Sequence, residues 1–245
     1  MDENGRVILD LEGVTKVYGS GEFAVTALKE ANFRVLGGEI VAVMGPSGSG
    51  KTTLLTIAGA LLRPSTGNVT ICGIDVTRLN EARLAAIRRE RIGFVYQSFN
   101  LLEALTALEN VRIVLQEGRN HSRASAADRA REILEMFGLS HRINSLPKKM
   151  SDGEKQRVAI ARALAKDPEL ILADEPTANL DTPNGKQVME IMTRLNQETS
   201  VTFIFATHDP RVIEYARRVI TLRDGLIVEN NVNEISAEEK IGLGV

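Results

Sequence analysis

Ile40-Val-Ala-Val-Met44, running straight into Gly45-Pro-Ser-Gly-Ser-Gly-Lys-Thr52, is the segment from which the rest of the chain can be read. An unbroken apolar run ending in glycine suits a strand buried on both faces. The glycine-rich stretch satisfies the pattern G-x-x-x-x-G-K-[ST] and leads into a helical pattern, Thr53–Ala60. Strand, glycine-rich turn and helix in that order build a phosphate cradle. Glycines let the backbone wrap until its N–H groups face anionic oxygens, and the helix N-terminus adds the positive end of its dipole. Gly45, Pro46, Ser47, Gly48, Ser49, Gly50, Lys51, Thr52 and Thr53 are thus the candidate phosphate-binding residues. Lys51 is expected to bridge the outer phosphates of a triphosphate, and Thr52 to place its hydroxyl on Mg2+.

Outward from this loop, short β-type runs alternate with longer helical patterns, the rhythm of an α/β protein with a largely parallel sheet. Leu170–Ala173 and Val201–Ala206 read as further buried strands, and Ile92–Tyr96 as a shorter one. Val7–Leu11, Ala31–Val35 and Val69–Cys72 alternate more and predict a small antiparallel accessory sheet. Residues 80–91, 106–116 and 124–137 carry helical spacing, the last with Ala126, Ala130, Ile133, Leu134 and Phe137 on one stripe. Only one short strand precedes residues 98–165, so a helical insertion in the α/β core is expected there. Ser122–Ser125 and Leu146–Lys149 read as loops, and Ser236–Val245 as a tail that frays.

Composition narrows the function classes. The chain has 245 residues with 30 Lys+Arg against 32 Asp+Glu, a formal charge of −2, and 43% apolar residues, the mix of a globular protein with a real core. Near-neutral charge argues against binding nucleic acid, and Lys148-Lys149, Arg88-Arg89 and Arg217-Arg218 read as solvated charge. Cys72 is the single cysteine, which fits a reducing compartment and a small apolar role on a strand. Met1–Arg6 is polar and acidic with no apolar run behind it, so no export signal is expected. No window approaches the ~18 to 20 apolar residues needed to cross a bilayer. A soluble protein is predicted, with any membrane role supplied by a partner.

Triphosphate chemistry also needs a carboxylate for the metal and a group to handle water. Leu170-Ile-Leu-Ala-Asp-Glu175 puts two acids at the end of a buried strand, where α/β sheets place their ligands. Asp174 would hold Mg2+ through water, and Glu175 would polarise the attacking water as general base.

Met150-Ser-Asp-Gly-Glu-Lys-Gln-Arg-Val-Ala-Ile-Ala-Arg-Ala-Leu164, shortly before that acidic strand, resembles the signature segment of ATP-binding-cassette (ABC) ATPases. The resemblance extends to Gln97 after Phe94-Val-Tyr96, to Ala178-Asn-Leu-Asp181, to Thr207-His208-Asp209 and to Tyr18, and covers about residues 7–230. It implies a P-loop NTPase fold of ABC type, with a small antiparallel β-subdomain and an inserted α-helical subdomain. The expected division is one ABC domain over residues 1–235, with its core in 1–97 and 161–235, its helical part in 98–160, and a tail in 236–245. By the same resemblance, Ser151, Gly153 and Glu154 face the γ-phosphate bound to a second chain, so two ATP molecules lie between two head-to-tail copies. Asp181 would cross that interface, His208 would hydrogen-bond the γ-phosphate, and Gln97 would join Thr52 and Asp174 at the metal and link it to the helical part. Tyr18 would stack on adenine, the bland alternative being a ring packed on its loop. Tyr96 is expected in the core, Tyr215 on a helix face, and His121 and His141 at the surface.

One residue departs from the family pattern: Asp152 stands where glycine is usual. Its carboxylate either turns to solvent or Lys155, or weakens closure on the triphosphate. Arg88-to-Leu102, Leu105-to-Val111 and Ala173-to-Asp181 look like the lipoprotein-releasing and macrolide-export type, which serves a separate integral-membrane permease. The implied partner is that permease, docked between Gln97 and Val111, where Phe99, Leu101 and Leu102 would be exposed unless they pack in the core. The implied place is the cytoplasm, peripheral on the inner face of the membrane. The competing reading is an ATP-dependent regulatory module with slow or no turnover. ABC proteins acting on ribosomes or DNA would carry two cassettes or long insertions.

Overall fold

The computed structural model describes residues 5–116 and 123–232, and His121 and the Ser236–Val245 tail lie outside them. Its elements are β1 (Val7–Tyr18), β2 (Val25–Leu36), β3 (Ile40–Met44), α1 (Lys51–Ala58), β4 (Thr66–Ile71), β5 (Ile74–Asp75), α2 (Glu81–Arg91), β6 (Ile92–Val95), α3 (Ala107–Gln116), α4 (Arg123–Met136), α5 (Asp152–Leu164), β7 (Leu170–Asp174), α6 (Thr182–Thr199), β8 (Thr202–Thr207), α7 (Pro210–Ile213), β9 (Arg218–Arg223) and β10 (Leu226–Val232). They form two sheets, an antiparallel one ordered β2-β1-β4-β5 and a mainly parallel one ordered β10-β9-β3-β8-β7-β6.

Both faces of the parallel sheet are covered, which is why its strands are apolar without alternation. Val41, Val43, Leu170, Leu172 and Ile204 pack toward α1 and the antiparallel sheet. Ile40, Ala42, Ile171, Phe203 and Phe205 pack toward α3 to α6. The ladder pairs Met44 with Thr207, Asp174 with Ala206, and Val95 with Ala173. Four neighbouring strands therefore end together, and the phosphate loop, His208, Glu175 and Gln97 all leave the sheet at one edge.

The helical insertion returns to the sheet along α5, which runs unbroken through residue 160 and packs on β6 and α6. The boundary expected at that residue is thus mid-helix. Among the described residues no helix is long and apolar enough to cross a membrane.

Several local expectations change. Arg123–Ser125, expected in a loop, are the first turn of α4, since the alanines around Ser125 favour helix and a single serine is tolerated. Tyr215 lies in the turn after α7, not on a helix, and packs against the helical-side core. Leu101 also packs there, Phe99 is half-buried, and Leu102 alone of the three is exposed, at 47%. Arg88 and Arg218 are not solvated charge. Arg88 donates to the Ala60 carbonyl at 2.7 Å, just past the end of α1 where carbonyls lack helical partners, and pairs with Glu81 at 2.5 Å. Arg218 donates to the Arg34 carbonyl at 2.7 Å and to Asn230 at 2.6 Å, stitching β9 to β2 and β10.

Asn110, fully buried on α3, ties down the chain between Gln97 and that helix. Its amide donates to the carbonyls of Leu102, Leu105 and Thr106 and its oxygen accepts from Leu102 N–H, all between 2.8 and 3.1 Å. Asn110→Ala leaves the Leu102 N–H and the Leu105 carbonyl to find other partners and strips one bond each from the Leu102 and Thr106 carbonyls. It is expected to cost about 3 kcal/mol, which calorimetry would read as a fall in Tm of ~6–12 °C.

Candidate nucleotide-binding and hydrolysis site

The phosphate loop links β3 to α1 and closes against the antiparallel sheet. Gly50, at φ 106°, caps α1 in a conformation that disfavours side chains, and a Cβ there would lie 2.4 Å from the Ala27 carbonyl of β2. The loop is anchored on its other side by Gly225 N–H donating to the Ser49 carbonyl at 3.0 Å. Pro46, Ser47 and Gly48 form the tip, with Ser47 and Gly48 exposed, while the Ser49 hydroxyl is buried without a protein partner. Lys51 is 8% exposed, and its ammonium donates to the carbonyls of Gly45 and Pro46 at 2.7 and 3.1 Å. A cation is thereby held inside the cradle, where anionic oxygens would meet it.

Thr52 and Asp174 come together as expected. The Thr52 hydroxyl donates to the Asp174 carboxylate at 3.0 Å, across the gap between α1 and β7. Burial pushes the Asp174 carboxyl up, the neighbouring Glu175 charge adds to this, and Thr52 and Lys51 oppose it. Hard oxygens of this kind suit Mg2+, which keeps several of its waters: the Thr52 hydroxyl would hold it directly and the Asp174 carboxylate through a bound water. Mg2+ therefore fits this pair. Gln97 emerges beside it, its carbonyl accepting from the Asn179 amide at 2.8 Å.

Glu175 and His208 are brought into contact from adjacent strands. The His208 Nδ1 lies 2.6 Å from one Glu175 oxygen, and the Thr207 hydroxyl donates to the other at 3.1 Å. Glu175 sits at φ 47°, a left-handed conformation that costs a non-glycine residue energy and recurs at functional sites. Its N–H is held by the Ala206 carbonyl at 2.8 Å. His208 is 69% exposed, a ring with one nitrogen on Glu175 and its surface toward solvent. The motif around His208 gives Thr207 no role of its own, although a polar residue closing a wholly buried strand is a readable signal. Arg211 lies outside every motif. It forks onto Asp209 at 2.7–3.0 Å and donates to Thr182 at 3.0 Å, tying the His208 loop to the start of α6.

The signature segment opens α5. Ser151 is the N-cap, and with Glu154 it forms a capping box: its hydroxyl accepts from Glu154 N–H at 3.3 Å while Glu154 accepts from Ser151 N–H at 2.8 Å. Glu154, expected to face the phosphate, is instead 8% exposed, and it also accepts from Arg142 at 2.8 Å. Burial raises its pKa, but the bonds from Arg142 and Ser151 outweigh that and bring it to about 2. The resulting stability is present above about pH 4.5 and lost only as pH falls toward 2. Gly153 lets α5 approach α6, since a Cβ there would lie 2.5 Å from the Asn184 amide oxygen. Asp181 caps α6 by accepting from Asn184 N–H at 3.0 Å, so both motifs meet at one surface. Asp152 turns to Lys155, 2.9 Å away, and brings no bare charge to the helix end.

Tyr18 is 43% exposed with its hydroxyl 3.4 Å from that of Thr53, which puts the ring beside the phosphate loop. Tyr96 stacks on Phe94 at 5.9 Å, and Cys72 is buried, its thiol pushed up to about 11 chiefly by burial. His141 is exposed, as expected, with Glu154 at 3.4 Å.

The chain is similar to known proteins over most of its length. A family model described as "ABC transporter" matches residues 28–178. The lipoprotein-releasing system ATP-binding protein LolD of Geobacter metallireducens is 46% identical over 221 residues, covering 90% of this chain and 98% of that protein. The macrolide export ATP-binding/permease protein MacB of Syntrophobacter fumaroxidans is 44% identical over 221 residues, which are 90% of this chain but 31% of that protein. Among solved structures, a dimeric post-hydrolysis state of the ATP-binding cassette MJ0796 of Methanocaldococcus jannaschii, bound to ADP and Pi, matches with a TM-score of 0.86. It is 43% identical, and the match covers 92% of this chain and 98% of that one. With a phosphate loop, paired acids, a histidine on the second acid and a capped signature helix on a P-loop α/β fold, this chain belongs to the ABC transporter family as an ATP-binding, ATP-hydrolysing cassette.

Proposed function

We propose that two copies of this chain close head to tail around two Mg-ATP and that hydrolysis drives a separate membrane permease of the exporter or lipoprotein-releasing type. The observation that carries this is the Glu175–His208 contact at the sheet edge where Lys51, Thr52 and Asp174 also converge. Lys51 and the loop amides bind the β- and γ-phosphates, and Tyr18 takes the base. Thr52 and Asp174, with Gln97 beside them, hold Mg2+, which supplies neutralising charge at the phosphates when bound. Glu175 takes a proton from water as its oxygen bonds to the γ-phosphorus; the bond from that phosphorus to the bridging oxygen breaks, leaving ADP and phosphate. His208 orients Glu175 and hydrogen-bonds the γ-phosphate.

Ser151 and Gly153 of one copy supply the anion site for the nucleotide on the other, with Asp181 at the same interface. MacB joins both activities in one name, "ATP-binding/permease", which supports a permease as the partner of such a cassette. Leu102, exposed beside the Asn110 anchor, is the side chain we assign to permease contact. The cassette then sits peripherally at the cytoplasmic face. A regulatory module without turnover has no support, because Asp152, its one favourable feature, is paired with Lys155.

Sedimentation tests the closure. Glu175→Gln protein, slow to hydrolyse, is expected to shift from the 26.8 kDa monomer to twice that mass on adding Mg-ATP. A single-copy mass at saturating ATP overturns head-to-tail closure.

A further inference from the structure

Gln97 to Asn100 leave the sheet edge in a conformation that needs holding. Phe99 and Asn100 lie at φ 62° and 49°, consecutive left-handed residues of which neither is glycine. The Arg162 guanidinium donates to the Phe99 carbonyl at 3.0 Å and the Asn100 carbonyl at 2.6 Å. Above them, the Lys155 ammonium sits 5.7 Å from the centroid of the Phe99 ring. Both cations come from α5 and stand two turns apart on one face of it. The helix that opens at Ser151 therefore grips both ring and backbone of the loop after Gln97.

We propose that Lys155 is a positioning residue that makes this loop travel with the signature end of α5. The helix is continuous from Asp152 to Leu164, so its end at Ser151 cannot tilt toward a nucleotide without moving Lys155 and Arg162. Arg162 binds the backbone and carries the loop whatever the side chains are. Lys155 reads the ring of Phe99, so the grip is specific to an aromatic there. Asp152 bonds the same ammonium at 2.9 Å and steers it toward the loop. A permease seated near Leu102 and a nucleotide seated at Ser151 thereby act on the two ends of one rigid connection. The proposal rests on head-to-tail closure and adds to it the link by which closure is reported to this loop.

A simpler role for Lys155 is to neutralise Asp152, and the two roles give opposite results in a double variant. Hydrogen exchange of the amides of residues 98–101 is measured with and without Mg-ATP in the Glu175→Gln chain, alongside its sedimentation. Turnover is measured in chains that keep Glu175. Adding ATP is expected to change exchange at 98–101 in the parent, and Lys155→Gln to shrink that change at least two-fold, Arg162 carrying the remainder, while protection of the phosphate loop persists. Turnover should fall about two- to five-fold with KM unchanged, the worth of one exposed cation–π contact. Lys155→Arg should restore both. Adding Asp152→Gly to Lys155→Gln should restore neither. Recovery in that double variant, or an unchanged ATP response in Lys155→Gln, overturns the proposal. A parent whose mass doubles with no change at 98–101 overturns it alone, whereas a parent that binds ATP but never doubles its mass overturns the closure as well.

Discussion

Glu175→Gln should leave ATP bound and all but stop its hydrolysis, lowering turnover by about 10²–10⁴-fold. The substitution keeps the shape of the side chain and removes only its basicity. Glutamine oxygen can still accept from Thr207 or from His208, now 3.1 and 2.6 Å from the two carboxylate oxygens, but its amide nitrogen must face the other. The variant therefore loses the proton acceptor, while the amide stays oriented with its oxygen toward His208 and its NH2 toward the Thr207 hydroxyl oxygen. None of the groups that touch phosphate in the cradle changes, so affinity for ATP should stay within about two-fold, since nothing is removed from ground-state binding. Single-turnover measurement separates the two effects. Turnover at the parent rate would exclude Glu175 as the base.

Gly50→Ala should do the reverse and abolish binding. A Cβ at this position would sit 2.4 Å from the Ala27 carbonyl and 3.1–3.2 Å from Leu222 and Leu28, on a backbone at φ 106°. The first neighbour is backbone in β2, paired to β1, so the loop must move instead of the sheet. Displacing the loop misaims every N–H of the cradle together. Loss of two N–H bonds to charged phosphate, about 1.5 kcal/mol each at the least, is worth ~10²-fold, and ATP affinity is expected to fall by at least that much in an equilibrium titration. Affinity within a few-fold of the parent would show that the loop does not depend on its seat against β2.

How legible these features are from sequence depends on how local their causes are. β3 is read to the residue because burial on both faces makes it uniformly apolar, and the start of α5 is written in Ser151 and Glu154, three residues apart, as a capping box. The phosphate loop and the acids of β7 are equally local. Contacts set by the packing of distant segments are not. Arg218 reaches the carbonyl of Arg34, 184 residues away, and in the sequence it cannot be told from a solvated arginine. The same holds for Arg162 on Phe99 and Asn100, and for Arg211 on Thr182. Glu154 shows a subtler limit: its motif position implies a ligand contact, while Arg142 and the Ser151 N–H engage its carboxylate from within the protein.

The capping box also fixes which part of the Ser151 hydroxyl the helix uses. Ser151 has one hydrogen on its hydroxyl, and that oxygen already accepts the N–H of Glu154. One lone pair is thereby taken by the helix, and the O–H and the second lone pair are left facing away from it. The hydroxyl therefore keeps its hydrogen free to donate, as an anion at a helix N-terminus requires. Because Glu154 stays ionised until the pH approaches 2, its half of the box, the bond from Ser151 N–H, persists down to that pH.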